Sequence, residues 1–265
     1  MNESINQSSF EVPKQIYAET GNSHLRAIFD STTDAIVEAL PDRITASHIT
    51  LAGTATCVAT AVIAARYPKL ASALSYVNLF GNLTDSLDGK KARKDADEKG
   101  ETTTSKGALL DTSCDRTSEC VAALSQSYLA FKRGNRFGGF MLLAFGATTP
   151  LPSLARSNAE ANGIVVAEGL LGSRYSRVTF NCLGYFRNQK PAEVNLLATM
   201  GTATNLYNAA TRLQALRTGS KHNKGQIDPT KQAEAATRRK VLAAYAAGMG
   251  VISIVQARRA IKQPA

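Results

Sequence analysis

Asp85–Arg116 reads DSLDGKKARKDADEKGETTTSKGALLDTSCDR, and this stretch decides what kind of helical protein the chain builds. Asp85 and Asp88 are three residues apart; Asp111 and Asp115 are four apart. On helices, both spacings put the two side chains on one face. Two such helices facing each other would pool four carboxylates, and anions that close repel strongly unless cations sit among them. Oxygen donors in this number suit Mg²⁺, Mn²⁺ or Ca²⁺ rather than zinc. Two metals about 4 Å apart are a recurring way to hold a phosphoryl group and stabilise its displacement. Gly89 follows Asp88 directly and lets a bulky ligand approach the backbone. Lys90, Lys91 and Arg93 add cations suited to a diphosphate. Asp95, Asp97, Glu98 and Glu101 are expected to be solvated in a loop joining the two helices.

Outward from this stretch, the charges are unevenly spread. Ile44–Ala65, Leu70–Thr84, Phe137–Ala155, Val194–Thr211 and Val241–Ala257 contain no Asp, Glu, Lys or Arg. A bilayer core needs about 20 mostly apolar residues per helix, and several of these windows reach or approach that length. The candidate helix Gly107–Phe131 carries only Arg116 and Glu119 besides its two aspartates. In a membrane, such carboxylates mark a functional site. Strand-like runs are confined to Ile164–Ala167 and Val178–Phe180, too short for a sheet, so the chain is expected to be all-α. Hydropathy alone also allows a soluble bundle with buried Ala-rich helices, and the absence of Trp removes one interfacial anchor.

The whole chain has 265 residues and a formal net charge of +10, which favours an anionic partner. A soluble basic protein binding nucleic acid would also fit that charge, but clustered carboxylates repel phosphates unless metals intervene. The four cysteines form no C-x-x-C pair, which excludes a zinc ribbon; they read as small packing residues. The three histidines are too dispersed to form a metal constellation. Met1–Phe10 has neither a basic nor an apolar leader region. His24–Leu40 spaces its apolar residues as an amphipathic helix would. Thr218–Lys240 reads as a solvated basic linker.

The aspartate stretch resembles the CDP-alcohol phosphatidyltransferase family, whose signature is D-x-x-D-G-x-x-A-R, a spacer, then G-x-x-x-D-x-x-x-D. Asp85, Asp88, Gly89, Ala92, Arg93, Gly107, Asp111 and Asp115 occupy every signature position. The spacer Lys94–Lys106 is longer than usual, and its polar surplus is expected to bulge into the loop. Ile44–Gly53 is similar to the start of the family's first membrane helix, with Ala46-Ser47 where Pro-Asn often stands. Ser153–Arg177 resembles the pattern of members that use inositol phosphate, through Arg156, Glu160, Gly163, Gly169, Arg174 and Arg177. Val194–Arg217 resembles the last core helix, with Arg212 at its terminal arginine. The likeness covers about residues 44–217; Val241–Ala257 has no counterpart.

The resemblance implies an integral membrane bundle of about six transmembrane helices with an N-terminal amphipathic juxtamembrane helix. The expected divisions are 1–43 for the polar N-terminal segment, 44–217 for the membrane domain and 218–265 for a basic linker with an extra helix. The site would face the cytoplasm at the cell membrane, and the loops that would lie inside are the more basic ones, although the bias is not clean. The implied reaction moves a phosphatidyl group from CDP-diacylglycerol, or a related CDP-lipid, to an alcohol and releases CMP. The metal residues would be Asp85, Asp88, Asp111 and Asp115 around two Mg²⁺ or Mn²⁺ ions, with Asp115 also the general base. Gly89, Ala92 and Gly107 would line the cytidine pocket and Arg93 would contact the diphosphate. Arg156, Arg212, Arg174 and Arg177 would bind a phosphorylated acceptor. Inositol 1-phosphate is expected, as in phosphatidylinositol phosphate synthases, with glycerol 3-phosphate as the alternative. A homodimer in membrane lipid is implied, with no nucleic acid.

Overall fold

The computed structural model describes residues 33–99, 105–164, 174–218 and 229–262. The chain divides into two compact units, Met1–Leu40 and Pro41–Ala265. In the first, helix α1 spans residues 33–39, the end of the expected amphipathic segment; residues 24–32 of that segment lie outside the described ones. The second unit carries all the other described helices.

Its elements are α2 (Ala46–Arg66), a 3₁₀ turn (Pro68–Leu70), α3 (Ala71–Lys99), α4 (Ser105–Lys132), α5 (Arg136–Thr148), α6 (Leu151–Ala161), α7 (Arg174–Phe186), α8 (Pro191–Thr218) and α9 (Pro229–Lys262). No strand occurs among the described residues, and Val178–Phe180 is part of α7. Helix α2 starts at a capping box. The His48 amide donates to Thr45 Oγ1 at 3.4 Å and the Thr45 amide to His48 Nδ1 at 3.3 Å, satisfying two otherwise orphaned donors.

Helices α2 and α3 are antiparallel. Thr50 meets Asp88 at one end of the pair, and Cys57 Sγ lies 3.7 Å from Asn78 O further along. Glycines allow the close approach: a Cβ on Gly81 would stand 2.8 Å from Cys57 Sγ and 3.1 Å from Gly53 O. Helix α4 runs parallel to α2, with Ser125 Oγ donating to Ala61 O at 2.7 Å. Ala64, Leu129 and Tyr185 share a core cluster farther along. The C-terminal half of α3 and the first turns of α2 and α4 therefore meet at one end of the bundle. At the other end, Arg133 donates to Asn188 O and Pro68 O, and Ser72 Oγ to Phe186 O at 3.1 Å, gathering three turns.

Helices α5 and α6 form one apolar stretch, Arg136–Ala161, interrupted at Pro150 and Pro152. Proline supplies no amide hydrogen, so a helix broken this way needs other donors for its freed carbonyls. Two arginines reach in: Arg116 Nη1 donates to Thr149 O at 3.4 Å and Arg212 Nη1 to Pro152 O at 2.7 Å.

Helix α9 lies antiparallel to α5 and α6. Arg239 Nη1 donates to Asn158 Oδ1 at 3.1 Å near its start, and Ser253 Oγ to Leu143 O at 3.4 Å two-thirds of the way along. This corrects the expected linker over 218–240: residues 229–240 are helical and packed, because their arginines find partners on α6. The spacer reading is corrected likewise. Helix α3 continues to Lys99, so Asp95, Asp97 and Glu98 are helical rather than in a loop. Lys91 Nζ pairs with Asp95 at 2.8 Å and Lys94 with Glu98 at 3.9 Å, the one-turn pairing that lets a polar helix persist.

Beside its apolar core clusters the bundle buries many polar side chains and exposes many apolar ones. Asn78, Asp88, Lys91, Arg116, Glu119, Gln126, Asn205 and Arg212 are buried, while Tyr76, Phe80, Leu196, Tyr207, Val251 and Ile254 are exposed. An apolar outer surface around polar interhelical contacts is what a lipid environment selects. Three helical stretches among the described residues are long and apolar enough to cross a membrane: Ala46–Arg66, Arg136–Ala161 and Gln232–Ile261.

Candidate active site

The end of the bundle where α2, α3 and α4 converge holds the acidic residues. Carboxylate oxygens of Asp85, Asp88 and Asp111 lie within 4.8 Å of one another. Asp85 and Asp88 occupy successive turns of one α3 face, and Asp111 comes from the second turn of α4. Asp88 is only 4% exposed. One of its oxygens, Oδ2, accepts a short hydrogen bond from Thr50 Oγ1 of α2. Asp111 Oδ1 is buried and has no hydrogen-bond partner. A buried carboxylate oxygen facing two further carboxylates, with nothing donating to it, is costly in a bare protein. A divalent cation satisfies it, and an all-oxygen donor set suits Mg²⁺ or Mn²⁺. The residues present therefore fit a metal.

Asp115 stands apart from that trio. It borders an open cleft together with Asp85, Asp88, Thr50, Thr54 and Ser118. Behind it, Arg116 is fully enclosed. Arg116 Nη2 lies 3.7 Å from Asp115 Oδ2 and its Nη1 2.5 Å from Glu119 Oε2. A buried arginine between two carboxylates fixes both and leaves the helix with one net negative charge here.

The expected nucleotide-binding residues lie just beyond. A Cβ on Gly89 would meet nothing closer than the Arg93 guanidinium, at 3.7 Å. Gly89 therefore opens a space edged by Arg93, which is exposed, while Ala92 and Gly107 are half-buried. The expected acceptor residues divide. Arg156 Nε pairs with Glu160 Oε1 at 2.8 Å and its side chain stays 39% exposed. Arg212 is buried and donates to Pro152 O, so it also joins α8 to the helix break. Arg174 and Arg177 lie on α7, but their side chains fall outside the described residues.

Three participants carry no clear signal in the sequence. Thr50 sits in the charge-free window Ile44–Ala65, where hydroxyls look like packing. The Arg116–Glu119 pair has helical spacing, but its depth is invisible in one dimension. Arg238, which pairs with Glu160 at 3.4 Å, comes from the stretch that reads as a solvated linker.

The sequence matches the family model for CDP-alcohol phosphatidyltransferases over residues 38–206, more than half of the chain. No curated protein matches it in sequence. Among solved structures, the fold is similar to Mycobacterium tuberculosis phosphatidylinositol phosphate synthase. The form crystallised with CDP-DAG aligns with a TM-score of 0.60 at 24% identity, covering 76% of this chain and 100% of that one. The form in complex with manganese and citrate aligns with a TM-score of 0.57 at 22% identity, covering 76% and 92%. The matched segment contains every residue of the aspartate signature, and three of them, Asp85, Asp88 and Asp111, come together in the fold. The chain thus belongs to the CDP-alcohol phosphatidyltransferase family, membrane enzymes of phospholipid synthesis.

Proposed function

We propose that the protein transfers a phosphatidyl group from CDP-diacylglycerol, or a related CDP-lipid, to the hydroxyl of a phosphorylated alcohol, inositol 1-phosphate, and releases CMP. The observation that carries this reading is the convergence of Asp85, Asp88 and Asp111 within 4.8 Å, with a buried Asp111 oxygen left for a cation. Divalent ions bound there would neutralise the diphosphate and favour departure of CMP. Asp85, Asp88 and Asp111 would hold them, with Thr50 orienting Asp88. Arg93 would hold the diphosphate beside the space that Gly89 leaves open for the nucleotide.

Asp115 is the base in this scheme. It lies on the cavity wall but outside the three-carboxylate group, where an acceptor hydroxyl can reach it without displacing a metal ligand. The acceptor oxygen bonds to the lipid-side phosphorus, and the bond from that phosphorus to the bridging oxygen breaks. The electron pair leaves on CMP and the hydroxyl proton passes to Asp115. Asp115→Asn should lower CMP release by about 10²- to 10⁴-fold while leaving metal-induced thermal stabilisation in place. Unchanged turnover would remove the assigned role.

The acceptor assignment draws support from Arg156 and Arg212 at the same end of the bundle, and from the M. tuberculosis synthase that shares the fold. Two Mg²⁺ or Mn²⁺ ions, about six crossings including the long helices α3, α4 and α8, a juxtamembrane N-terminal helix, a cytoplasmic site at the cell membrane and a homodimer complete the reading. Radiolabelled CDP-diacylglycerol assayed with inositol 1-phosphate, glycerol 3-phosphate and free inositol tests it. Preference for inositol 1-phosphate is expected. Preference for glycerol 3-phosphate would reassign the acceptor, and equal use of free inositol would remove the need for an anion pocket.

A further inference from the structure

Helix α9 lies beyond the matched segment 38–206, yet one of its side chains is hydrogen-bonded to the helix that carries Asp111 and Asp115. On α9, Ala235, Leu242 and Met249 are buried and recur every seven residues, the spacing of a packed helical seam. Tyr245 stands three residues after Leu242 and four before Met249, on the same face. The packing beside it is close: a Cβ on Gly146 of α5 would lie 2.9 Å from Met249 Cε.

From this seam the Tyr245 hydroxyl reaches α4. It donates to Ser113 O at 3.1 Å and lies 2.7 Å from Thr117 Oγ1. Thr117 Oγ1 in turn donates to Ser113 O at 2.9 Å. Two hydroxyls and one carbonyl thus close a triangle across the turn whose middle residue is Asp115. Successive residues advance about 100° around a helix, so Ser113 and Thr117 sit roughly opposite Asp115. Tyr245 therefore backs this turn from behind, while Asp115 borders the cleft in front. The backing falls on a stretch with little stiffness of its own. Thr112, Ser113, Thr117 and Ser118 each donate to the carbonyl four residues earlier, and such bonds weaken and bend a helix.

We propose that Tyr245 is a positioning residue: it fixes the 113–117 turn of α4 and with it the direction in which Asp115 meets the acceptor hydroxyl. The inference rests on the base role proposed for Asp115 and deepens it. Helix α9 acts on the reaction through α4 and touches no substrate.

The test measures CMP release by the full chain in detergent, with CDP-diacylglycerol and inositol 1-phosphate. Wild type, Tyr245→Phe, Asp115→Asn and the double variant are compared. Removing the hydroxyl alone should lower kcat about tenfold through misdirection of the base, with KM for both substrates within about twofold. On the Asp115→Asn background the same change should cost less than about twofold, because residues that act as a unit are not additive. A ring that only fills space would leave kcat unchanged in Tyr245→Phe, and that result would overturn the inference. An equal loss on both backgrounds would overturn it as well, since Tyr245 would then act elsewhere. Wild-type turnover in Asp115→Asn would remove the base itself and the positioning role with it, a pattern visible before Tyr245 is changed. If Tyr245→Phe does not fold, Thr117→Val and Thr117→Ser carry the comparison. The serine, which keeps the hydroxyl, should retain the higher kcat, and equal values would refute the contact.

Discussion

Replacing Asp111 by Asn should change the sign of its effect on stability when the metal is removed. Asp111 faces both Asp85 and Asp88 within 4.8 Å. Two unit charges that far apart repel by about 3.5 kcal/mol at an effective dielectric of about 20, and by about 1 kcal/mol at the value of water. Arg116 and Arg238 act on Asp111 in the opposite sense. The net relief on neutralising Asp111 is therefore about 1–3 kcal/mol. In a chelator, Asp111→Asn should unfold about 2 to 10 °C above the wild type. With Mg²⁺ at about a hundred times its dissociation constant, the wild type gains about 2.7 kcal/mol, and the variant gains far less because a ligand is lost. The two should then exchange order. Thermal unfolding followed by circular dichroism, with chelator and with Mg²⁺, reads both states on the same preparation. If Asp111→Asn is the less stable protein in chelator, or responds to Mg²⁺ as the wild type does, the three carboxylates do not form a repulsive cation site.

The other structural expectations concern what holds the site together. Gly81→Leu places a side chain where Cys57 Sγ and Gly53 O already stand; it should push α2 from α3, separate Thr50 from Asp88 and cut CMP release more than about tenfold through misalignment. Normal activity in a folded Gly81→Leu protein would mean that the close approach is dispensable. Arg116→Met removes the guanidinium that pairs with buried Glu119 and should destabilise by about 3–5 kcal/mol. Arg116→Met with Glu119→Leu should recover most of that in thermal unfolding, and a double variant as unstable as the single one would show that the pair is not the source.

The grouping of Asp85, Asp88 and Asp111 was legible before folding. Spacings of three and four residues put Asp85 with Asp88 and Asp111 with Asp115 on helix faces. That periodicity is a local property, and local geometry carries it into three dimensions unchanged. The boundaries of polar elements were less legible. Charged residues at 94–99 and 229–240 look like solvated connections because single residues carry no sign of their partners. In the folded chain Lys91 meets Asp95, Arg238 meets Glu160 and Arg239 meets Asn158, and those pairings keep both segments helical. The partner of Arg212 was equally hidden: it goes to a carbonyl beside a proline break, a demand created by packing α8 against α6.

What the sequence alone determined is the chemistry, since donor type and helical spacing are properties of consecutive residues. Which oxygen is left without a hydrogen-bond donor, which arginine is buried and which helix packs against α6 were decided by tertiary structure. Each depends on groups far apart in the chain being brought within a few ångströms, and no local pattern encodes that distance.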